Sequence, residues 1–392
     1  MIVSTLCALA MIQQGATPTT TVPFRLADDA IIVDAQVNGR SVSLMFDTGF
    51  GAAVDVSDSV NLGKQTGTIT LTDFNGQFQA PTVKITSLKL GSMSIDPKDL
   101  EEAVKSREDF SLSYGMHCDG IMGLQVIKDN VVGINYEHSR FEFYSPSTDI
   151  SKWVPDNKRT FLVKMLPTGH SSIDMYVNAP DGGKMVMSLD TGNAFYATTH
   201  RDVLERLGLW GSSKTPKFLS KSMIASGTTD SWALKLDNMK IFGVPVPSSV
   251  WDIIDMPSAT AENDGTVGYG FLHNFNIIMD YGRRRIWFEN YSGKAADEEK
   301  GDIGIFAMSL RGSDVKVFHV MEGSPAEKAG IKVGDKILSI DGNELGTNVP
   351  FQKMRQLFEG PSGSKIKLVI SSNGDLKRLE VERAHLYNEV GK

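Results

Sequence analysis

Short stretches of alternating apolar and polar residues dominate the chain up to about residue 290. Residues 31–37 read Ile-Ile-Val-Asp-Ala-Gln-Val, and after Asn38 and Gly39 residues 41–46 continue as Ser-Val-Ser-Leu-Met-Phe. Alternation with a period of two is typical of a strand with one buried face, and Asn-Gly is a strong signal for a two-residue hairpin turn. The pattern predicts a mainly β protein built from short hairpins.

Helical signals are few. Residues 97–106 begin with Pro97 directly after Asp96, an arrangement that suits the first turn of a helix, and residues 200–207 form a second candidate. We therefore expect helices to be short and to connect strands.

Two polar stretches have the composition of linkers, residues 149–159 and residues 293–302. They predict three structural units at residues 21–148, 160–293 and 300–386.

The tripeptide Asp-Thr-Gly occurs twice, 143 residues apart, and each copy follows a short apolar run. The copies are Asp47-Thr48-Gly49 and Asp190-Thr191-Gly192. An Asp-Gly pair follows each copy further along the chain. The two pairs lie 145 residues apart, at Asp119-Gly120 and Asp264-Gly265. Two markers that repeat at nearly one period indicate an internal duplication.

A duplication of this kind can bring one carboxylate from each half together across a pseudo-two-fold axis. Two carboxylates about 3 Å apart do not both ionise easily, so they share a proton. One can then act as a general base while the other acts as a general acid. Asp47 and Asp190 are the candidate pair.

Both turns resemble the active-site turns of pepsin-like aspartic proteases, in their short bacterial form. The resemblance covers residues 21–293, and it includes residues 271–280 and 285–288, which are similar to the closing strands of that family. It implies a mainly β, bilobal fold of two pseudo-symmetric β lobes.

The same resemblance implies that Asp47 and Asp190 form a catalytic dyad that uses neither a metal nor a cofactor. It also assigns roles within the turns: the threonines brace them and the glycines let the substrate backbone approach. These residues are Thr48, Gly49, Thr191 and Gly192.

The chain departs from the family pattern directly after each glycine, where Ser, Thr or Ala is usual. Phe50 and Asn193 occupy these two positions. A hydroxyl there would bond the outer oxygen of the aspartate; Phe50 lacks such a group, whereas the amide of Asn193 can supply one donor. We therefore expect Phe50 and Asn193 to affect the pKa values of Asp47 and Asp190 rather than their positions.

A second hairpin is expected between residues 68–72 and the segment from Phe78 onward. Its place after the first Asp-Thr-Gly resembles that of the family's flap, the mobile hairpin that closes over bound peptide. The candidate flap residues are Phe74, Asn75 and Gly76. A plain surface hairpin is the alternative.

Residues 300–386 resemble a bacterial PDZ domain, an α+β partly open barrel. Ser324 and Pro325 suit the start of a short helix and Gly330 its end. A hairpin turn is expected at Asp341-Gly342.

The PDZ resemblance implies a peptide groove. Ile303, Gly304 and Ile305 fit the loop whose backbone N–H groups hold a terminal carboxylate, while the peptide adds as a strand. A helix at residues 350–358 would form the other wall. The alternative is a PDZ fold that only packs against the rest of the chain.

Charge and termini restrict the partners and the location. The formal net charge is −7, without a basic stripe, which argues against nucleic-acid binding. The first 20 residues have an apolar stretch of signal-peptide length with Ala8-Leu9-Ala10 as a cleavage signal, too short for a permanent membrane anchor. We therefore expect a secreted or periplasmic protein.

Together these interpretations predict an exported aspartic endopeptidase that hydrolyses peptide bonds through Asp47, Asp190 and an activated water. Its partners would be a peptide or unfolded protein substrate and a C-terminal peptide at the PDZ groove. The alternative, motivated by Phe50, is a catalytically silent peptide-binding protein with the same fold. A single-lobe dimeric protease is disfavoured because one chain supplies both turns.

Overall fold

The computed structural model describes residues 16–73, 76–100, 102–106, 110–167, 172–211, 215–224 and 227–390. These residues are mainly β and form three sheets connected by short helices. The mainly β prediction is confirmed.

The first sheet is large and contains every strand described in the first half of the chain. In chain order these are β1 Thr20–Ala27, β2 Ala30–Val37, β3 Arg40–Asp47, β4 Val54–Ser57, β5 Gln65–Asp73, β6 Gly76–Val83, β7 Leu88–Leu90, β8 Met93–Ile95, β9 Ala103–Ser106, β10 Gly120–Gly123, β11 Val131–Asn135 and β12 Arg140–Tyr144. The predicted hairpin at Asn38-Gly39 joins β2 to β3, and both turn residues have positive φ, +50° and +73°. Such angles are those of the turn that matches strand twist.

The second half contributes to two sheets. Its strands are β13 Thr160–Lys164, β14 Asp174–Asn178, β15 Lys184–Leu189, β16 Ala197–His200, β17 Ser220–Ile224, β18 Gly227–Ile241, β19 Val244–Ile254, β20 Gly265–Val267, β21 Phe275–Asp280 and β22 Arg285–Asn290. Strands β14 to β20 build the second sheet, whereas β13, β21 and β22 join the first.

One strand pair ties the two halves together. Strand β11 runs antiparallel to β21, with Val131 opposite Asp280 and Ile134 opposite Ile277. The stretch expected to be a linker, residues 149–159, therefore connects two halves that share a sheet. A hydrophobic core also runs without interruption through both halves, including Phe46, Phe141 and Trp251.

The third sheet has its own core and follows residue 302. Its strands are β23 Ile305–Ser309, β24 Val315–Val320, β25 Lys336–Ile340, β26 Asn343–Glu344, β27 Lys365–Ser372 and β28 Asp375–Glu382; the last strand, β29 Asn388–Glu389, pairs instead with β18. The predicted turn between β25 and β26 is confirmed, since Asp341 and Gly342 both have positive φ.

The α-helices are short: α1 Phe110–Tyr114, α2 Arg201–Arg206, α3 Tyr269–Leu272, α4 Pro325–Lys328 and α5 Phe351–Phe358. Helices α2 and α5 confirm two predicted helices within one or two residues at each end. Helix α4 begins as expected, because the Ser324 hydroxyl accepts a hydrogen bond from the Glu327 N–H at 3.2 Å. Brief 3₁₀ turns occur at Pro97–Asp99, Leu124–Val126, Ile150–Lys152 and Ser258–Thr260.

The predicted helix at residues 97–106 is wrong. Asp96 does cap a turn by accepting a hydrogen bond from the Lys98 N–H, but the helical conformation ends at Leu100. Strand β9 then forms between β4 and β6, with Val104 buried. Pairing on both edges outweighs the weak local helix preference.

The third sheet is anchored to both halves. The guanidinium of Arg355 on α5 pairs with Asp29 in the turn between β1 and β2, and it lies over the Phe195 ring of the second half, 5.1 Å from its centre. The His319 ring bonds the carbonyl of Leu219 at 2.6 Å. The third unit therefore sits against the other two rather than on a free tether.

Candidate active site

Each Asp-Thr-Gly turn leaves the end of a buried strand. Asp47 ends β3, and Asp190 follows β15 directly. A parallel strand lies beside each: Gly123 of β10 is opposite Asp47, and Val267 of β20 accepts a hydrogen bond from the Asp190 N–H at 3.0 Å. Both turns are thus fixed on one side by a neighbouring strand.

The two threonines lock the turns to each other. The Thr48 hydroxyl donates to the carbonyl of Leu189 at 2.7 Å and accepts from the Thr191 N–H at 3.0 Å. The Thr191 hydroxyl in turn donates to the carbonyl of Phe46 at 2.8 Å and accepts from the Thr48 N–H at 3.1 Å. Both threonines are fully buried, so four reciprocal hydrogen bonds join the halves away from water.

These hydrogen bonds between the turns bring the carboxyl groups of Asp47 and Asp190 together. The Gly49 and Phe50 N–H groups donate to Asp47 Oδ1 at 2.7 and 3.1 Å, and those of Gly192 and Asn193 donate to Asp190 Oδ1 at 2.9 and 3.1 Å. Each aspartate therefore has one oxygen held by its own turn. The structure brings together all six predicted turn residues, as the duplicated motif requires.

The glycines leave room for the opposite carboxylate. A Cβ atom built on Gly49 would lie 2.8 Å from Asp190 Oδ1, and one built on Gly192 would lie 2.5 Å from Asp47 Oδ2. Real Cβ atoms do not approach oxygen so closely. Only glycine at these positions permits the carboxyl groups to meet.

Burial raises the pKa of both carboxyl groups. Burial, followed by the nearby charge of Asp190, holds the pKa of Asp47 well above its usual range. Burial also raises the pKa of Asp190, but hydrogen bonds from Asp47, the turn N–H groups and Thr266 oppose that rise. The two carboxyl groups therefore favour a state with one proton between them, and the titration steps belong to the pair.

The surroundings of the pair repeat between the halves. Asp119 Oδ2 accepts a hydrogen bond from the Ser43 N–H, and Asp264 Oδ2 accepts one from the Val186 N–H, both at 2.9 Å. Ser43 and Val186 each lie four residues before their catalytic candidate. The internal duplication predicted from the motif spacing is therefore present in the contacts.

The residues after the two glycines differ from the expectation. The Asn193 amide does not bond Asp190; its Nδ2 donates to the hydroxyls of Thr198 and Thr266 at 3.0 and 2.8 Å. Thr266, which sequence analysis missed, supplies the hydroxyl that bonds Asp190. The sequence contained one signal for this role: Thr266 directly follows the second Asp-Gly pair, whereas Ile121, which has no hydroxyl, follows the first.

Phe50 packs against apolar residues of the neighbouring hairpin. It lies against a small apolar cluster that includes Ala52, Ala80, Ile69 and Leu71. Ile69 and Leu71 belong to β5 and Ala80 to β6, the expected flap hairpin. Phe50 therefore contributes to the packing of this hairpin.

The candidate flap is described only in part. Strands β5 and β6 pair up to Asp73 opposite Gly76, whereas Phe74 and Asn75 lie outside the described residues. A hairpin at this place is confirmed, and its action as a flap stays a prediction.

The candidate carboxylate loop of the third unit differs from the expectation in one respect. Ile303 is buried in the core, and the Gly304 N–H donates to Asp302 Oδ1 at 2.5 Å. The Gly304 N–H therefore already has an acceptor within the chain. Ile305 begins β23, whose outer edge forms one side of a cavity.

The described part of the chain contains neither a membrane-spanning helix nor a metal-binding cluster. None of its helices is long and apolar enough to cross a membrane. It also holds no cluster of three or more His, Cys, Asp or Glu side chains suited to a metal ion.

Comparison with known proteins identifies the third unit. Residues 319–372 match the family model for the PDZ domain, so the chain contains a PDZ domain, as predicted. A probable CtpA-like serine protease of Staphylococcus haemolyticus (strain JCSC1435) is 29% identical over 93 residues, 23% of this chain and 18% of that protein. The periplasmic pH-dependent serine endoprotease DegQ of Escherichia coli (strain K12) is 30% identical over 134 residues, 31% of this chain and 27% of that protein. The chain thus spans less than a third of the length of these curated relatives.

One solved structure is similar over a larger part of the chain. The aspartic proteinase from Irpex lacteus aligns with 70% of this chain and 99% of its own, at 14% identity and a TM-score of 0.41. A likeness of this strength carries no argument about fold or activity.

These comparisons correct the expected reaction class. The interpretation of the chain as an aspartic endopeptidase is contradicted, because the curated proteins that match are serine proteases. What the matches establish for this chain itself is the PDZ domain.

Proposed function

We propose that this chain is a PDZ-containing peptidase that acts on extended polypeptides. Two findings support the proposal: the PDZ domain, a fold that binds peptides by strand addition, and the protease relatives. The substrate would be a peptide or an unfolded protein. DegQ is named a periplasmic protein, which supports an exported location for this chain. The leader predicted over residues 1–20 stays a prediction; its residues 1–15 lie outside the described part, and Thr20 already belongs to β1.

We propose Asp47 and Asp190 as the catalytic residues, on two lobes of pepsin-like architecture spanning residues 21–148 and 160–293. The observation that carries this assignment is the set of four reciprocal threonine hydrogen bonds that hold the carboxyl groups together. A pair that keeps one proton can both donate and accept a proton at a bound polypeptide. Gly49 and Gly192 would let the backbone of that polypeptide approach.

Digestion of denatured casein between pH 3 and 8 tests the proposal. We expect cleavage by the wild type and a loss of about 10³-fold in both Asp47→Asn and Asp190→Asn, because each removes one member of an acid–base pair. Asp375→Asn, on an exposed strand of the PDZ domain, is the control and should cleave like the wild type.

A serine-reactive fluorophosphonate is tested in parallel. Full activity of both aspartate variants, together with inactivation and labelling by the fluorophosphonate, would place the reactive centre on a serine instead. A wild type that binds peptides but cleaves none across this pH range would overturn the peptidase proposal itself.

A further inference from the structure

We propose that the cavity between the PDZ domain and the second half binds an extended polypeptide segment with a basic side chain, and that Asp252 accepts that side chain. The inference rests on the proposed peptide-docking function and adds a selectivity to it. The site is separate from the Asp47–Asp190 pair.

The cavity has a volume of about 600 Å³ and two unlike walls. One wall belongs to the PDZ domain and includes Ile305 and Phe306 of β23 and Phe351 of α5. The other belongs to the second half and includes Ser222 and Asp252. A peptide in this cavity would touch both units at once.

The PDZ wall offers a place for an added strand. Strand β23 lies at one end of its sheet, where it pairs with β24 alone. Helix α5 packs beside it, with the Phe306 and Phe351 rings 5.1 Å apart. An edge strand next to an apolar helix face binds an extended peptide through main-chain hydrogen bonds and side-chain contacts.

The second wall presents a buried acceptor. Asp252 is only 8% exposed, and its Oδ1 accepts a hydrogen bond from the Ser222 hydroxyl at 2.8 Å. Its Oδ2 has no hydrogen-bond partner among the described residues. A buried carboxylate oxygen without a donor is costly, so a cationic ligand group would gain a strong, charge-assisted bond there.

The cations that line the cavity are already engaged elsewhere. Arg355 donates to Gln352, Glu359 and Asp29. Lys221 pairs with Asp230, Lys294 with Glu298 and Lys300 with Glu359. The acceptor at Asp252 is therefore left for a group from outside the chain.

Asp252 carries its charge under mildly alkaline conditions. Burial raises its pKa to about 6, against the hydrogen bonds of Ser222 and Ser231 and the charge of Arg355. At pH 8 the carboxyl group is ionised and attracts a cation.

Because side chains of a strand alternate between faces, the ligand class is an extended peptide with apolar residues toward the PDZ groove and one Lys or Arg toward Asp252.

Three peptide libraries test the inference at pH 8. Each consists of fluorescent, acetylated octapeptides that keep a free C-terminal carboxylate and have Lys, norleucine or Glu fixed at one position in turn, and binding is followed by anisotropy. For at least one position we expect Lys to bind the full-length wild type about tenfold more tightly than norleucine, and Glu more weakly than norleucine. Asp252→Asn should abolish the Lys preference, so that the Lys and norleucine libraries bind the variant equally.

Asp237→Asn, on the exposed face of β18 in the same sheet, is the matched control and should keep the preference. Equal binding of the Lys and norleucine libraries to the wild type would overturn the proposed role of Asp252 but not the peptide-docking function. This outcome does not depend on whether Asp252→Asn folds. A Lys preference that persists in Asp252→Asn would also overturn it. Failure of every library to bind would overturn the docking function along with it.

Discussion

Gly192→Ala is expected to lower peptide cleavage by at least about 100-fold. The new methyl group would lie 2.5 Å from Asp47 Oδ2 and 2.7 Å from Asp47 Oδ1, so one of the two turns must move. A displacement of about 1 Å in a catalytic group can cost about 10² in rate. The backbone itself tolerates alanine, because the φ of Gly192 lies outside the left-handed region.

Cleavage rates and melting temperatures of Gly192→Ala and Gly211→Ala separate this effect from a general cost of alanine. Gly211 has no heavy atom near its built Cβ and no positive φ, so its substitution should change neither quantity. If Gly192→Ala cleaved casein like the wild type, the carboxyl groups would not face each other across this glycine.

Thr48→Val is expected to destabilise the protein by about 2–4 kcal/mol. Valine keeps the shape of the side chain but leaves the Leu189 carbonyl and the Thr191 N–H without partners, and each unsatisfied buried group costs roughly 1–3 kcal/mol. Thr191→Val should cost a similar amount, because its two bonds mirror those of Thr48.

Urea unfolding at pH 6 measures these free energies. Thr68→Val, on the exposed strand β5, should change the free energy of unfolding by less than about 0.5 kcal/mol. The double variant Thr48→Val/Thr191→Val should lose less than the sum of the single losses, since the four bonds form one network. Stability unchanged in both single variants would show that the turns are not joined.

Local turn chemistry was the most predictable part of the fold. Asn38-Gly39 and Asp341-Gly342 adopt the positive φ angles that their residue types favour, and Ser324 caps the helix that follows it. Each of these features depends on neighbours within four residues, so the sequence alone was sufficient.

Features that depend on distant strands were not predictable in the same way. Residues 97–106 carry a helix-start signal, yet β9 forms because β4 and β6 offer it partners on both edges. The return of β29 to β18 and the contact of Arg355 with Asp29 likewise join residues far apart in the chain. No local pattern encodes such pairings.

The duplicated motif predicted which site residues meet, but not how the pair is tuned. All six residues of the two Asp-Thr-Gly turns come together, because their spacing reflects a repeated unit. The hydroxyl that bonds Asp190 comes from Thr266 on a neighbouring strand, whereas the amide of Asn193 turns toward Thr198 and Thr266. The reaction class assigned from the motif was the part that the comparisons contradicted.

The most direct test of the central claim, one proton shared by Asp47 and Asp190, is a titration of their ¹³C-labelled carboxyl carbons by NMR. We predict two separate steps, with the Asp47 step above the usual aspartate range, because burial and the Asp190 charge both favour its neutral form. In Asp190→Asn that charge is gone, so the Asp47 step should move to lower pH while burial keeps it above the surface value. A single step near pH 4 for both carboxyl groups, unchanged in Asp47 by the Asp190→Asn substitution, would contradict the account.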